Sequence, residues 1–243
     1  MYRVAHFLSR SVFYTVSINS LCVTSQTIKM IWILTGDPPE ESIQIPTVAG
    51  SQYVSGEKTK LTVAKKILGL NDGNFVITDN SGKTLFKLDH KKVMLRELTV
   101  LRDAGDSPVV SIHKKSISLH DTYEVFRGES RDGLFVVKDK NLRDKNEETY
   151  EIILDNASEP DFEVKGDFVR RNYQIIFRGS EIVAEVAKKH FSLSGLIRGG
   201  NKYGVSLNPN VDQALVAAVV VIMEAIHNKG KEDRGDKSSS DSD

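Results

Sequence analysis

The chain has 243 residues, of which 40% are hydrophobic, and its 33 lysine and arginine residues equal its 33 aspartate and glutamate residues. This length suffices for one large domain or two small ones with a full core, and the balanced charge argues against nucleic-acid binding, which usually needs a basic excess or stripe. The single cysteine, Cys22, excludes an intramolecular disulfide and favours a reducing compartment.

Residues 1–36 contain three basic residues and no acidic one. Three interpretations stay open for this leader: a dispensable extension, an organellar transit peptide and a poor secretory signal. The following segment, "GDPPEESIQIP", holds three prolines that cannot donate backbone hydrogen bonds, which is typical of a linker. We therefore predict an extension and linker over residues 1–50, either poorly ordered or used for targeting.

Between about residues 58 and 208, short stretches of alternating apolar and polar residues are separated by turn residues. The predicted strands are 61–68, 74–79, 83–89, one strand within 91–101, 108–114, 122–128, 133–139, 149–155, 161–167, 172–179, 181–190 and 202–209. Ten to twelve short strands with turns at this spacing predict an antiparallel barrel or a sandwich.

The most apolar stretch, "DQALVAAVVVIMEAI" (212–226), follows the last predicted strand. Its uninterrupted apolar run is about half of the roughly 20 residues that span a bilayer, and Asp212 and Glu224 bracket it, so we predict no transmembrane helix. Asn210 and Gln213 form a pattern like a capping box, which indicates a helix start, and Asp212 complements the positive end of the helix. A helix that is apolar all round must be buried all round, and the middle of a closed barrel is the simplest place.

The tail from Lys229 is charged and serine-rich, without an apolar residue. It cannot bury surface to offset its ordering entropy, so we predict disorder over 229–243. The predicted folded domain is then 51–228.

Four motifs occur in order within residues 58–228: "DGNFVITDNSGKTLFKLD" (72–89), "SISLHDTYEVFRG" (116–128), "DFEVKGDF" (161–168) and "NPNVDQALVAAVVVIMEAI" (208–226). On these motifs the chain resembles the LURP-one-related family of plants, within the tubby-like superfamily. The resemblance implies a mainly β fold: a closed antiparallel barrel of about twelve strands around a central hydrophobic C-terminal α-helix, related to the tubby C-terminal domain and the phospholipid scramblases.

The family is linked to basal defence against pathogens, and tubby domains bind phosphoinositides. The resemblance therefore implies a non-enzymatic, monomeric interaction module that binds anionic phospholipid headgroups or a protein partner, although fold alone does not fix function. A scramblase-like lipid-handling protein and a tubby-like, membrane-tethered regulator linked to transcription stay open as alternatives. The expected location is the cytoplasm, with membrane association, a nuclear role and organellar targeting by the leader also open.

His120 and Asp121 form the most suggestive pair for chemistry, because a histidine beside an aspartate can act as a general base or hold a metal. Here the pair begins a predicted strand, and no serine or cysteine has a nucleophile context such as Gly-x-Ser-x-Gly. The glycine-bearing stretches do not have the strand–loop–helix order of a phosphate loop. We expect no catalytic residue, metal or cofactor.

Paired basic residues are the remaining candidates for ligand binding. Those predicted to bind a lipid headgroup are Lys114, Lys115, Arg170, Arg171, Lys188 and Lys189. Adjacent residues on a strand point to opposite faces, so at most one of a pair can join a given patch. The competing interpretation is a solvated surface, supported by nearby acids such as Glu163 and Asp167.

Overall fold

The computed structural model describes residues 5–6, 15–16, 44–65, 75–93, 96–115, 121–140, 149–155, 157–168, 170–187 and 202–235. The chain forms two units, Met1–Gln44 and Ile45–Asp243. In the first, two short strands, β1 (Ala5–His6) and β2 (Thr15–Val16), pair antiparallel. The sequence pattern does not predict this pair, and the rest of the leader lies outside the described residues.

The second unit contains twelve strands that form a closed barrel. They are β3 (Thr59–Lys65), β4 (Phe75–Thr78), β5 (Thr84–Val93), β6 (Arg96–Asp103), β7 (Pro108–Lys114), β8 (Thr122–Arg127), β9 (Gly133–Asp139), β10 (Thr149–Leu154), β11 (Phe162–Asp167), β12 (Asn172–Phe177), β13 (Glu181–Ala187) and β14 (Lys202–Leu207). Each strand pairs antiparallel with its neighbour in the chain, and β14 pairs with β3 to close the barrel. The predicted barrel is confirmed, and the sandwich is excluded.

The alternation of residue types determines which side chains face inward. In β12, Tyr173, Ile175 and Phe177 are buried, whereas the residues between them are partly exposed. Successive side chains of a strand point to opposite faces, so a strand with this alternation presents one apolar row to the interior. These rows form a single core together with the central helix.

The central helix, α1 (Gln213–Gly235), confirms the predicted hydrophobic helix. From Ala214 to Met223 no residue is more than 8% exposed. Each buried valine, leucine or isoleucine contributes roughly 1.5–3 kcal/mol relative to its exposed state. Although several of these residues are β-branched, a closed barrel leaves no strand edge for pairing, and only a helix satisfies the backbone hydrogen bonds internally.

The start of α1 differs from the predicted capping pattern. The side chain of Asp212 is the cap, because its Oδ1 accepts hydrogen bonds from the amides of Ala214 (2.9 Å) and Leu215 (3.2 Å). Asn210 instead has a φ of 63° and donates its own amide to the carbonyl of Ser55, 2.7 Å away. The predicted Asn210–Gln213 cap is therefore wrong; both residue types suit a cap, and tertiary contacts select between them.

A strap of residues 45–54, which includes a short 3-10 helix (Ser51–Tyr53), crosses the start of α1. The amides of Val48 (3.0 Å), Ala49 (2.7 Å) and Gly50 (3.4 Å) donate to Oδ2 of Asp212. Arg127 donates to the carbonyl of Ala49, 2.9 Å away. These contacts make the strap part of the unit that contains the barrel, Ile45–Asp243.

The C-terminal end of α1 extends to Gly235, beyond the buried apolar run. Adding residues to an existing helix is far less costly than nucleating one, so polar residues can continue it beyond the core. Residues 236–243 lie outside the described residues. Among the described helices none has the length and apolar character needed to cross a membrane.

Candidate functional site

A cleft of about 500 Å³ lies on the outer wall of the barrel, where β11, β12, β13, β14 and β3 are neighbours. One outward-facing polar side chain comes from each strand, and each lies opposite the next in the strand register. We call this set the polar row: Lys60, Ser206, Glu185, Gln174 and Lys165. Their chain neighbours Leu61, Val205, Val186, Tyr173 and Val164 are buried in the core.

Small residues make this part of the wall concave. Gly166, Ala187 and Gly204 all line the cleft and add little or no side chain to it. At Gly166 the φ is 142°, and a Cβ would lie 2.5 Å from the carbonyl oxygen of Asn172. A larger residue at this position would push β11 away from β12, so glycine is required for the local shape.

The two lysines of the cleft differ in their ion pairing. Lys165 Nζ lies 2.5 Å from Oε2 of Glu163, whose other oxygen lies 2.7 Å from Lys140 Nζ. Hydrogen bonds from Lys140 and then Lys165 hold the pKa of Glu163 below its usual value. Lys60, by contrast, is exposed and makes no ion pair with any residue that the structure describes.

Several residues with hydrogen-bonding side chains line the same cleft as Lys60. The lining includes the hydroxyls of Thr62 and Ser206 and the amides of Asn80 and Asn172. The carboxylate of Glu185 accepts a hydrogen bond from Gln174, 3.0 Å away. The lining contains no histidine or cysteine, and no group of three or more potential metal ligands occurs in the described parts of the chain. The arrangement suits the binding of a polar ligand by charge and hydrogen bonds.

The structure places Lys114 and Lys115 at the end of β7, outside the cleft. Lys114 Nζ lies 3.4 Å from Asp121, and Lys115 Nζ lies 3.3 Å from Glu124. His120, the other half of the pair considered for chemistry, lies outside the described residues. Each of the two lysines is therefore matched by a carboxylate.

Arg170 and Arg171 lie in the connection between β11 and β12, and their side chains have different environments. Arg170 is 84% exposed, and its Nε lies 3.6 Å from Asp167. Arg171 is 5% exposed, and its guanidinium donates two hydrogen bonds to Glu224 of α1, one of 3.0 Å. The two arginines thus do not share a surface.

The four predicted headgroup residues that the structure describes, Lys114, Lys115, Arg170 and Arg171, do not form one cluster. The ends of β7 and β11 lie on the same rim because alternate strands of an antiparallel barrel run in the same direction, but β8, β9 and β10 lie between them. Lys188 and Lys189 lie outside the described residues.

The sequence did not predict two groups of residues, the polar row and the Arg171–Glu224 pair. The polar row needs the pairing of β14 with β3, which joins residues about 140 positions apart and has no local signal. The Arg171–Glu224 pair lies under Tyr203, whose ring centre is 5.6 Å from the guanidinium carbon. The sequence did contain one indication of this ion pair, namely Glu224, because a charge at the end of a fully buried run needs a partner.

Comparisons with known proteins agree with the barrel. A family model described as LURP-one-related matches residues 59–224, from the first residue of β3 to Glu224. Protein LURP-one-related 15 of Arabidopsis thaliana is 34% identical over 194 residues, 77% of this chain and 87% of that protein. Protein LURP1 of the same plant is 30% identical over 75% of this chain and 91% of its own length. An X-ray structure of an Arabidopsis thaliana protein, 29% identical, matches with a TM-score of 0.57 and covers 74% of this chain and 98% of that one.

Proposed function

The chain belongs to the LURP-one-related family, and from this premise we propose that it is a non-enzymatic binding module in plant pathogen defence. Its barrel recognises the phosphorylated headgroup of an anionic phospholipid, phosphoinositides among them. The binding site is the cleft on the outer wall.

The observation that carries this proposal is the exposed ammonium of Lys60 in a cleft whose lining also includes the neutral hydrogen-bonding residues Thr62, Asn80, Asn172 and Ser206. A phosphate group accepts hydrogen bonds from ammonium, hydroxyl and amide groups at the same time. Each basic residue near an anionic membrane adds roughly 1 kcal/mol of attraction. Lys60 supplies this charge without first breaking an ion pair to a described residue.

The basic residues of the rim have a secondary role in this proposal. Lys114, Lys115 and Arg170 each lie within 3.6 Å of a carboxylate, so their attraction for a membrane is largely compensated. Exposed charges of this kind are also screened by salt. Arg171 is committed to Glu224 in the interior.

Co-sedimentation with lipid vesicles tests the proposal. The protein should bind vesicles that contain a phosphoinositide more strongly than neutral phosphatidylcholine vesicles, and added salt should weaken the binding. Lys60→Met should reduce binding severalfold. Lys87→Met is the matched control, because Lys87 is an exposed lysine on β5 that does not line the cleft.

Equal binding to neutral and anionic vesicles would overturn the lipid proposal and favour a protein partner instead. An equal loss of binding in the Lys60 and Lys87 variants would show that any exposed lysine contributes to membrane attraction. The cleft would then not be the binding site.

A further inference from the structure

We infer that the cleft is selective for a headgroup that carries a phosphate and a primary ammonium, which can donate hydrogen bonds, with phosphoserine as the representative chemistry. This inference rests on the proposed function, because it assigns the ligand class of the same cleft. Its basis is the order of charges along the polar row.

The row places a cation and an anion on either side of a small residue. Lys60 on β3 and Glu185 on β13 both lie opposite Ser206 of β14 in the strand register. Because neighbouring strands are spaced about 4.8 Å apart, their backbones are roughly 10 Å apart. Both side chains are exposed, and no ion pair joins them in the described part of the barrel. A ligand lying over Ser206 can therefore contact both charges.

The remaining members of the row define how much charge is available. Lys165 is held by Glu163, which leaves Lys60 as the cation of the row without a described ion-pair partner. Gln174 donates to Oε1 of Glu185 and restricts the orientation of this carboxylate. Among the described residues of the row, the charges that are not held in an ion pair are then one positive and one negative. This pattern is complementary to a phosphate and a primary ammonium, whereas the quaternary ammonium of phosphatidylcholine has no N–H to donate to Glu185.

Glu185 also disfavours competing ligands. A phosphoinositide headgroup would bring a second phosphate close to this carboxylate with no ammonium beside it, and like charges at short range repel, so it should bind the cleft more weakly than phosphoserine without being excluded. A headgroup with one phosphate and one ammonium satisfies Lys60 and Glu185 together. The hydroxyl of Ser206 and the amide of Asn172 remain available for the ester oxygens or a carboxylate of the ligand.

Phosphatidylserine and phosphatidylglycerol provide the test, because both headgroups carry a net charge of about −1 at neutral pH and only the first has an ammonium. Vesicles of phosphatidylcholine with equal mole fractions of either lipid are compared in co-sedimentation. The wild-type chain should bind phosphatidylserine vesicles roughly twofold to fivefold more tightly, the preference that one exposed ion pair supports.

Variants assign the preference to the row. Glu185→Gln should bind both vesicles equally, while Lys60→Met should bind both more weakly. Glu181→Gln, on the same strand but outside the cleft, should keep the wild-type preference. Thermal unfolding checks that all three variants are folded, which is expected because these side chains lie on the outer face.

Soluble headgroups separate recognition of the group from attraction to the membrane. Free O-phosphoserine should compete with phosphatidylserine vesicles, and glycerol phosphate should compete less well. Equal vesicle binding with and without the ammonium, or a preference that survives Glu185→Gln, would overturn this inference and leave the proposed function intact. Absence of binding to any anionic vesicle would overturn the proposed function itself.

Discussion

The central helix meets the barrel differently at its two ends. At the start, the single carboxylate of Asp212 accepts five backbone hydrogen bonds, three from the strap and two from the first turn of α1. Near the end of the buried run, Glu224 forms a two-contact ion pair with Arg171. The first end is anchored by backbone groups and the second by a charged side chain.

The difference has an energetic meaning. Amides at a helix N-terminus carry partial positive charge, so a buried carboxylate there is stabilised by the helix itself and satisfies groups that otherwise lose water. At the other end two full charges leave water, and their attraction roughly offsets that cost. We therefore expect Asp212 to be needed for stability, whereas the pair as a whole should be replaceable and its halves should not.

Val220→Asp should cause the largest loss of stability of any substitution in α1, because Val220 lies between the two ends of the helix and is 0% exposed. An unpaired charge has no partner in the apolar interior, so the barrel should not fold. Circular dichroism and size exclusion should show an unfolded or aggregated chain. A folded variant with ordinary stability would contradict the placement of α1 inside the barrel.

Glu224→Ala should lower the free energy of unfolding by about 3–5 kcal/mol, because it leaves the guanidinium of Arg171 buried without its partner. Denaturant unfolding measures the loss. The double variant Glu224→Leu with Arg171→Met is the control, and its stability should lie close to that of the wild type. If the double variant loses as much free energy of unfolding as the single variant, the ion pair itself contributes net stability. The proposed difference between the two ends of α1 would then be wrong.

Asp212→Ala should cost about 2–4 kcal/mol, combining the loss of an N-cap with buried strap amides left without an acceptor. Asp212→Asn keeps one carbonyl oxygen and should lose less. Asn210→Ala is not informative about the cap, because the side chain of Asn210 does not hold the helix start. A loss of under 1 kcal/mol in Asp212→Ala would show that water replaces the carboxylate.

Alkaline pH should distinguish the ends further, because the buried tyrosines Tyr173 and Tyr203 lie beside the ion pair. Burial, reinforced by neighbouring charges, raises the pKa of Tyr173 and Tyr203 above the ordinary value of 10.0. The unfolded chain then loses protons first, so stability is unaffected below pH 10 and falls above it, by about 1.4 kcal/mol per pH unit for each tyrosine. Tyr203→Phe should make this decline shallower in urea unfolding at several pH values, and an unchanged slope would exclude Tyr203 as its source.

The sequence predicted the barrel well because its signals are local. Alternation within each strand and the all-apolar run from Ala214 to Met223 depend on neighbouring residues alone. The cap was misplaced because Asn210 and Asp212 are both suitable residue types, and only the contact with the strap distinguishes them. The burial of Arg171 was missed because it occupies a turn with a φ of 53°, next to the exposed Arg170.

The cleft was beyond sequence prediction for a different reason. Lys60 and Glu185 become neighbours only through two strand pairings at a particular register, and a shift of one residue would turn both side chains into the core. A doublet of basic residues is visible in a sequence, whereas a row built from five strands is not.

Nuclear magnetic resonance titration with short-chain phosphatidylserine tests most directly whether the cleft is the binding site. Amide chemical shifts should change mainly around Lys60, Gln174, Glu185 and Ser206, and these changes should disappear in the Lys60→Met variant. Shift changes centred instead on Lys114, Lys115 and Arg170, with the polar row unaffected, would contradict it.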